Sequence, residues 1–176
     1  MPTHAETRTV PFTPQQMFDL VADVERYPEF LPWCVACRIR RWETPQRLVA
    51  DLVIGFKMIR ERFTSRVELS RPNRIDVAYY DGPFRHLTNH WTFAANAEGH
   101  CIIDFYIDFE FRSRTLQKMM GKLFNEAVQR MVNAFERRAV TLYAGDALQG
   151  SAPTGRPAAV QAHASPLPGA PPGDRR

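Results

Sequence analysis

From about Arg38 to Phe111, apolar side chains recur at every second position; beyond Ser113 they recur every three or four. Alternation sends successive side chains to opposite faces of a sheet, whereas the longer spacing stripes one side of a helix. The last alternating run is the clearest, with Cys101, Ile103, Phe105, Ile107, Phe109 and Phe111 on one face and Asp104, Asp108 and Glu110 on the other. Such an aromatic face needs a cover. The helical segment that follows Ser113 supplies one through Leu116, Met120, Leu123, Phe124, Ala127, Met131, Ala134, Phe135 and Leu142, and is expected to end near residues 143–145.

Earlier runs follow the same rule. Leu48, Ala50, Leu52 and Ile54 alternate with Val49, Asp51 and Val53, and Ile59, Phe63 and Val67 alternate with Arg60, Arg62 and Arg66. Turn signals at Pro45-Gln46, Arg71-Pro72-Asn73, Asp81-Gly82-Pro83 and Asn96 to Gly99 separate the runs at hairpin distances. Upstream, Thr7 to Phe12 reads as an edge strand. Thr13, Pro14 and Gln16 then open a helix with a capping box, and Met17, Phe18, Leu20, Val21 and Val24 form its apolar face up to about Tyr27-Pro28. The expected architecture is α+β: a curved antiparallel sheet of about seven strands wrapped around a long C-terminal helix, with short helical structure after the first strand. Residues 1–145 form this domain. The Pro-, Ala- and Gly-rich stretch 146–176 is expected to lack fixed structure.

Composition narrows the function. The formal charge is +4, of which the acidic and basic residues from Asp146 onward account for one unit, leaving +3 for residues 1–145. That excess suits contact with an anionic membrane surface or RNA but lacks the concentrated basic stripe of a DNA-binding protein, and DNA is not an expected partner. No stretch has the roughly 18 uninterrupted apolar residues of a membrane span, and residues 1–10 do not resemble a secretory signal; a cytoplasmic protein is expected, peripheral at most at the inner membrane face.

Signatures of chemistry are sparse. The chain has no glycine-rich phosphate loop and no H-E-x-x-H, and its three cysteines form no paired zinc clusters, so neither catalytic nor metal-binding residues are expected. Cys34 and Cys37 form a lone C-x-x-C running into strand-like sequence rather than a helix, which favours reduced structural thiols over a redox pair. His86 and His90 share a strand face without a carboxylate or thiol at ligand spacing and read as a solvated face. Asp104, Asp108 and Glu110 are expected to pair with Arg60, Arg62 and Arg66 across strands.

The inward aromatic and methionine residues, Phe56, Phe63, Tyr79, Trp91, Phe105, Met120, Phe124 and Met131, make either a packed core or the lining of an adaptable apolar tunnel, and periodicity alone does not separate the two.

Two segments carry a family likeness. Tyr27-Pro-Glu-Phe-Leu-Pro-Trp-Cys34 and Asp81-Gly-Pro-Phe-Arg-His-Leu-Thr-Asn-His-Trp-Thr-Phe93 resemble the coenzyme Q-binding START-domain family, and with the order of elements the likeness spans residues 3 to about 145. That family includes the ribosome-association toxin group and belongs to the polyketide cyclase and lipid-transport superfamily. The resemblance implies a helix-grip fold, START-like and Bet v-type, that holds ubiquinone or a similar polyprenyl lipid as its bound ligand, supports respiration without being an enzyme, and uses no other cofactor.

On this reading the lining aromatics and methionines above are ligand-binding, joined by Phe30, Trp33 and Asn89. The segment Tyr27 to Trp33 serves either as a lid or membrane-touching lip, or as a tight turn packing Phe30 and Trp33 into the core. Asn89 hydrogen-bonds either a quinone carbonyl or a neighbouring strand. The resemblance leaves two other readings open. One is a toxin-like protein that binds the large ribosomal subunit through Arg38, Arg40 and Arg41. The other is a cyclase or dehydratase using Asn89, Tyr79 or Glu61.

Overall fold

The computed structural model describes residues 3–56 and 59–147. Strand β1 (Thr3–Val10) leads to helix α1 (Pro14–Ala22), a turn of 3-10 helix (Val24–Arg26) and the four-residue helix α2 (Tyr27–Phe30). Six strands follow: β2 (Cys34–Thr44), β3 (Arg47–Phe56), β4 (Ile59–Ser70), β5 (Arg74–Asp81), β6 (Phe84–Ala95) and β7 (Cys101–Phe111). Helix α3 (Arg114–Ala147) completes the fold. All seven strands form one antiparallel sheet in the order β1-β7-β6-β5-β4-β3-β2, a meander whose first strand returns to pair with its last.

The expected capping box opens α1: Gln16 N–H donates to Thr13 Oγ1 at 3.2 Å, and Thr13 N–H donates to Gln16 Oε1 at 3.0 Å. The first helix is shorter than its pattern suggests. It stops at Ala22, and Tyr27-Pro28, expected as a terminus, instead begins α2. A proline in the first turn gives up only an amide that has no helical partner anyway. The glycine of the Asp81-Gly82-Pro83 turn has φ +136°, and a Cβ there would lie 2.8 Å from that of Phe63.

Ser113 caps α3 by accepting from Leu116 N–H at 3.3 Å. The helix buries Leu116, Phe124, Val128, Val132, Phe135 and Ala139, but Leu142 is exposed. Tyr143, four residues beyond Ala139, turns inward in its place and meets Phe12 at 6.0 Å. The helix also outruns its expected end and takes in residues 146 and 147; the rest of the stretch expected to lack fixed structure, from residue 148 on, lies outside the described residues.

Inner and outer faces of the sheet follow the alternation. The acidic row on β7 does not pair with the β4 arginines, because β6 and β5 lie between those strands. Asp108 meets His86 at 3.1 Å, Glu110 meets Arg85 at 3.3 Å, and Asp104 accepts from Thr7 at 2.5 Å. His90 is likewise on the outer face, 2.5 Å from Asp76. Among the described residues no group of His, Cys, Asp and Glu could hold a metal ion, and no helix is long and apolar enough to cross a membrane.

Candidate ligand cavity

Helix α3 does not cover the sheet evenly. It lies against β1 and β7 and beside α1 and α2. Over β7 and β6 the packing is tight, with Phe124 on Phe109 at 4.9 Å and Phe135 on Trp91 at 5.3 Å. Toward β5, β4 and β3 the helix makes fewer contacts, and a cavity of about 270 Å³ opens between it and the sheet, its wall running on over Leu87, Asn89 and Trp91 of β6 and Ile107 and Phe109 of β7. That approaches the lower end of the range for small-molecule sites, roughly 300 Å³. Its inner end is walled by buried Ala50, Phe63, Ile75 and Trp91, and its outer end by the half-exposed Trp33, Phe56, Ile59 and Leu123. The half-exposed set marks the mouth.

Eight of the eleven residues singled out from sequence line this space: Trp33, Phe56, Phe63, Asn89, Trp91, Met120, Phe124 and Met131. Three do not. Phe30 turns aside onto Phe135 at 5.2 Å, beneath the Arg138 guanidinium. Phe105 has the right parity but sits on the tightly packed side, 4.4 Å from Trp91 and 6.4 Å from His4, against a separate void of only about 20 Å³. Tyr79 faces inward beyond the last β5–β6 pair, where the Phe84 ring meets it edge-on at 5.7 Å and forms the wall itself. Aliphatic partners line the cavity too: Leu52, Ile54, Ile59 and Ile107, which alternation along the strands marks, and Leu123, which the three- and four-residue spacing of α3 marks.

The segment Tyr27 to Trp33 divides its roles. Burial pushes the Tyr27 phenol well above its ordinary range, keeping it a donor, and it gives its proton to Val21 O at 2.5 Å. Leu31, Pro32 and Trp33 continue into the cavity rim, where Trp33 meets Phe56 at 5.6 Å. Glu29 ties the segment to α3 by accepting from Arg26 at 2.6 Å and Arg138 at 2.7 Å; the Arg26 hydrogen bond above all holds its carboxyl below the usual range.

Beside Tyr27 and the two tryptophans, the polar side chains lining the cavity among the described residues are those of Cys34, Glu61, Ser65 and Asn89. Burial pushes the Cys34 thiol up to about 11 and the Cys37 thiol up to about 12, so both are protonated at neutral pH, and both are free.

On the outer face of the same half lies a cationic cluster. Asp51, though outward by parity, is buried, and its Oδ2 lies 2.9 Å from Arg62 and 3.5 Å from both Arg38 and Arg40, while Oδ1 accepts from Thr64 at 2.7 Å. Burial raises the Asp51 carboxyl, but the Thr64 and Arg62 hydrogen bonds and the Arg40 charge outweigh it and leave it below its ordinary value.

Comparison with known proteins agrees with this architecture. Residues 10–136 match the family described as polyketide cyclase/dehydrase and lipid transport. The chain is 36% identical over 143 residues to the persistence and stress-resistance toxin of Escherichia coli O6:H1, covering 81% of this chain and 90% of that protein. It is 32% identical over 144 residues to a mitochondrial coenzyme Q-binding protein homologue of Xenopus laevis, covering 80% of this chain and 59% of that one. Among solved structures, an 18 kDa protein of Caulobacter crescentus is 33% identical with a TM-score of 0.69, covering 82% of this chain and 99% of that one. The Zhui aromatase/cyclase of Streptomyces sp. R1128, at 18% identity and a TM-score of 0.67 over 88% of this chain and 98% of that one, shares the fold alone. A sheet gripping one long helix over an apolar cavity, a family match across most of the chain, and relatives covered along nearly their whole length lead to one conclusion: this chain belongs to the polyketide cyclase/dehydrase and lipid transport family, with a START-like domain related to the ribosome association toxins.

Proposed function

We propose that this protein binds ubiquinone or a similar polyprenyl lipid in its cavity and carries or positions it for respiratory electron transport, as a carrier rather than an enzyme. The observation that carries the reading is the uneven seating of α3, which leaves an apolar space of about 270 Å³ open at one end. An apolar ligand gains roughly 25 cal/mol for each Å² it removes from water, and the open mouth lets a longer tail extend outward. Pro32, Trp33 and Phe56 give the mouth an apolar, aromatic lip suited to a membrane interface, which supports transient contact from the cytoplasmic side. The side chains of Glu61, Ser65 and Asn89 make no hydrogen bonds to one another, an arrangement that favours holding a molecule over acid–base work on it.

Solvent extraction of the purified protein and mass spectrometry test the reading. Ubiquinone or a polyprenyl lipid is expected from the wild type and not from a folded Leu52→Trp variant, which plugs the cavity; no lipid from the wild type would sink the proposal. Trp91 is a poor site for such a control, since it packs against Phe93, Phe105 and Phe135.

The toxin relatives and the outward Arg38, Arg40 and Arg62 favour a second reading, association with the large ribosomal subunit. Co-sedimentation with ribosomal subunits that is lost on Arg38→Glu with Arg40→Glu would support it; absence of the wild type from the subunit fractions would remove it.

A further inference from the structure

Three buried polar atoms on the inner face of the sheet have no hydrogen-bond partner: Ser65 Oγ, Tyr79 Oη and Asn89 Oδ1. They stand on three adjacent strands, β4, β5 and β6. Ser65 is directly opposite Tyr79, and Asn89 is opposite Val77, two residues before Tyr79 on the same face. Directly opposed Cβ atoms lie about 5 Å apart and diagonal neighbours about 7–8 Å, so Ser65 and Asn89 flank the Val77 to Tyr79 stretch of β5 from its two sides. Ser65 and Asn89 line the cavity, and Ser65 is fully buried. Leaving a buried donor or acceptor unpaired is costly, and two on one cavity wall point to a missing partner.

The charge around the pair restricts that partner. Among the described residues the charged side chain lining the cavity is Glu61, on β4 four residues before Ser65 and opposite Ile54 near the β3–β4 hairpin. At roughly 3.3 Å per residue, it stands about 13 Å from Ser65 toward the mouth. No cation lines the cavity among the described residues. A carboxylate or phosphate brought to the pair would lose its hydration without a counter-charge and would pass a like charge on the way.

We infer that Ser65 and Asn89 mark a head-group subsite for a neutral oxygen-bearing ring or alcohol, which enters head first and leaves its apolar tail toward Trp33 and Phe56. This rests on the lipid-binding reading and adds to it a polarity, an orientation and the exclusion of anionic lipids. A hydroxyl and a carboxamide both donate and accept, so the subsite accommodates either a carbonyl or a hydroxyl head.

Calorimetric titration with three probes tests it: decylubiquinone, dodecanoate and dodecylbenzene. The wild type is expected to bind decylubiquinone more tightly than dodecanoate. Ser65→Ala and Asn89→Leu, with Asn89→Ala if the leucine variant does not fold, should each weaken decylubiquinone roughly five- to tenfold, the worth of about one hydrogen bond. Dodecylbenzene affinity should stay unchanged, and the ligand-free melting temperature should not fall, because each substitution removes an orphan. Equal binding of dodecanoate, or decylubiquinone affinity untouched by the variants, overturns the subsite while leaving the lipid cavity standing. A wild type that binds none of the three overturns both.

Discussion

Helix α3 meets the two halves of the sheet in different ways. Over β1, β7 and β6 it packs ring on ring, and Arg8 of β1 reaches it through Glu136 at 3.0 Å and Gln129 at 3.1 Å. Over β5, β4 and β3 it stands off, and those strands are instead fastened from outside, where Asp51 gathers arginines from β2 and β4. The same alternation of apolar side chains thus yields close ring packing at the β1 side and a cavity that widens toward β3, with β6 and the mouth-side end of β7 sharing in both. The seating of one helix decides which.

The largest expected effect breaks the solid half. Phe135, ringed by Tyr27, Phe30 and Trp91, should cost about 3–5 kcal/mol as Phe135→Ala in denaturant unfolding. Next comes the outer fastening of the open half: Asp51→Asn should cost about 1–2 kcal/mol at pH 7, because the amide can still accept from Thr64 but no longer carries the charge that Arg38, Arg40 and Arg62 face. The folded carboxyl titrates below its ordinary value, so the wild-type advantage is full above about pH 4 and fades as pH falls through that lower value. The gap in melting temperature between the two proteins should therefore be widest at pH 7 and narrow steadily as the pH is lowered below about 4. Arg8→Ala, which removes a half-buried tie between β1 and α3, should cost about 1 kcal/mol. The smallest change in stability sharpens the contrast: a larger residue in a solid core costs about 1–3 kcal/mol, but Leu52→Trp, facing empty space, should shift unfolding by less than about 1 kcal/mol. A larger loss would mean that the two halves are packed alike.

Much of this was legible in the pattern of residues. Alternation from Leu48 to Ile54 and from Cys101 to Phe111 assigns the inner face correctly, since parity depends only on the pleat and on an apolar side seeking cover. Parity cannot say what covers each position. Phe105 and Phe109 share a face four residues apart, yet Phe105 is closed in by Trp91 and His4 while Phe109 looks into the cavity. Tyr79 loses its place to Phe84 because the hairpin folds that ring across it, and Phe30 turns onto Phe135 because α2 begins where a helix end was expected. The pairing of the acidic residues on β7 likewise follows from strand order, which spacing along the chain does not encode. The orphaned Ser65 hydroxyl is invisible in the sequence, since it depends on what three strands fail to offer one another.

The tie from Glu29 to Arg26 and Arg138 bears on kinetics. It fastens the rim of the mouth to the far half of α3, beside the stack of Phe30 on Phe135. A guest too wide for the resting opening can enter or leave only when rim and helix part, and that parting separates the Glu29–Arg138 surface ion pair, which salt screens, together with an aromatic contact, which it does not. Ionic strength therefore acts as a throttle on the exchange of cargo: loading and release quicken together as salt rises, while the balance between the full and empty states, set deeper in the cavity, stays nearly where it was.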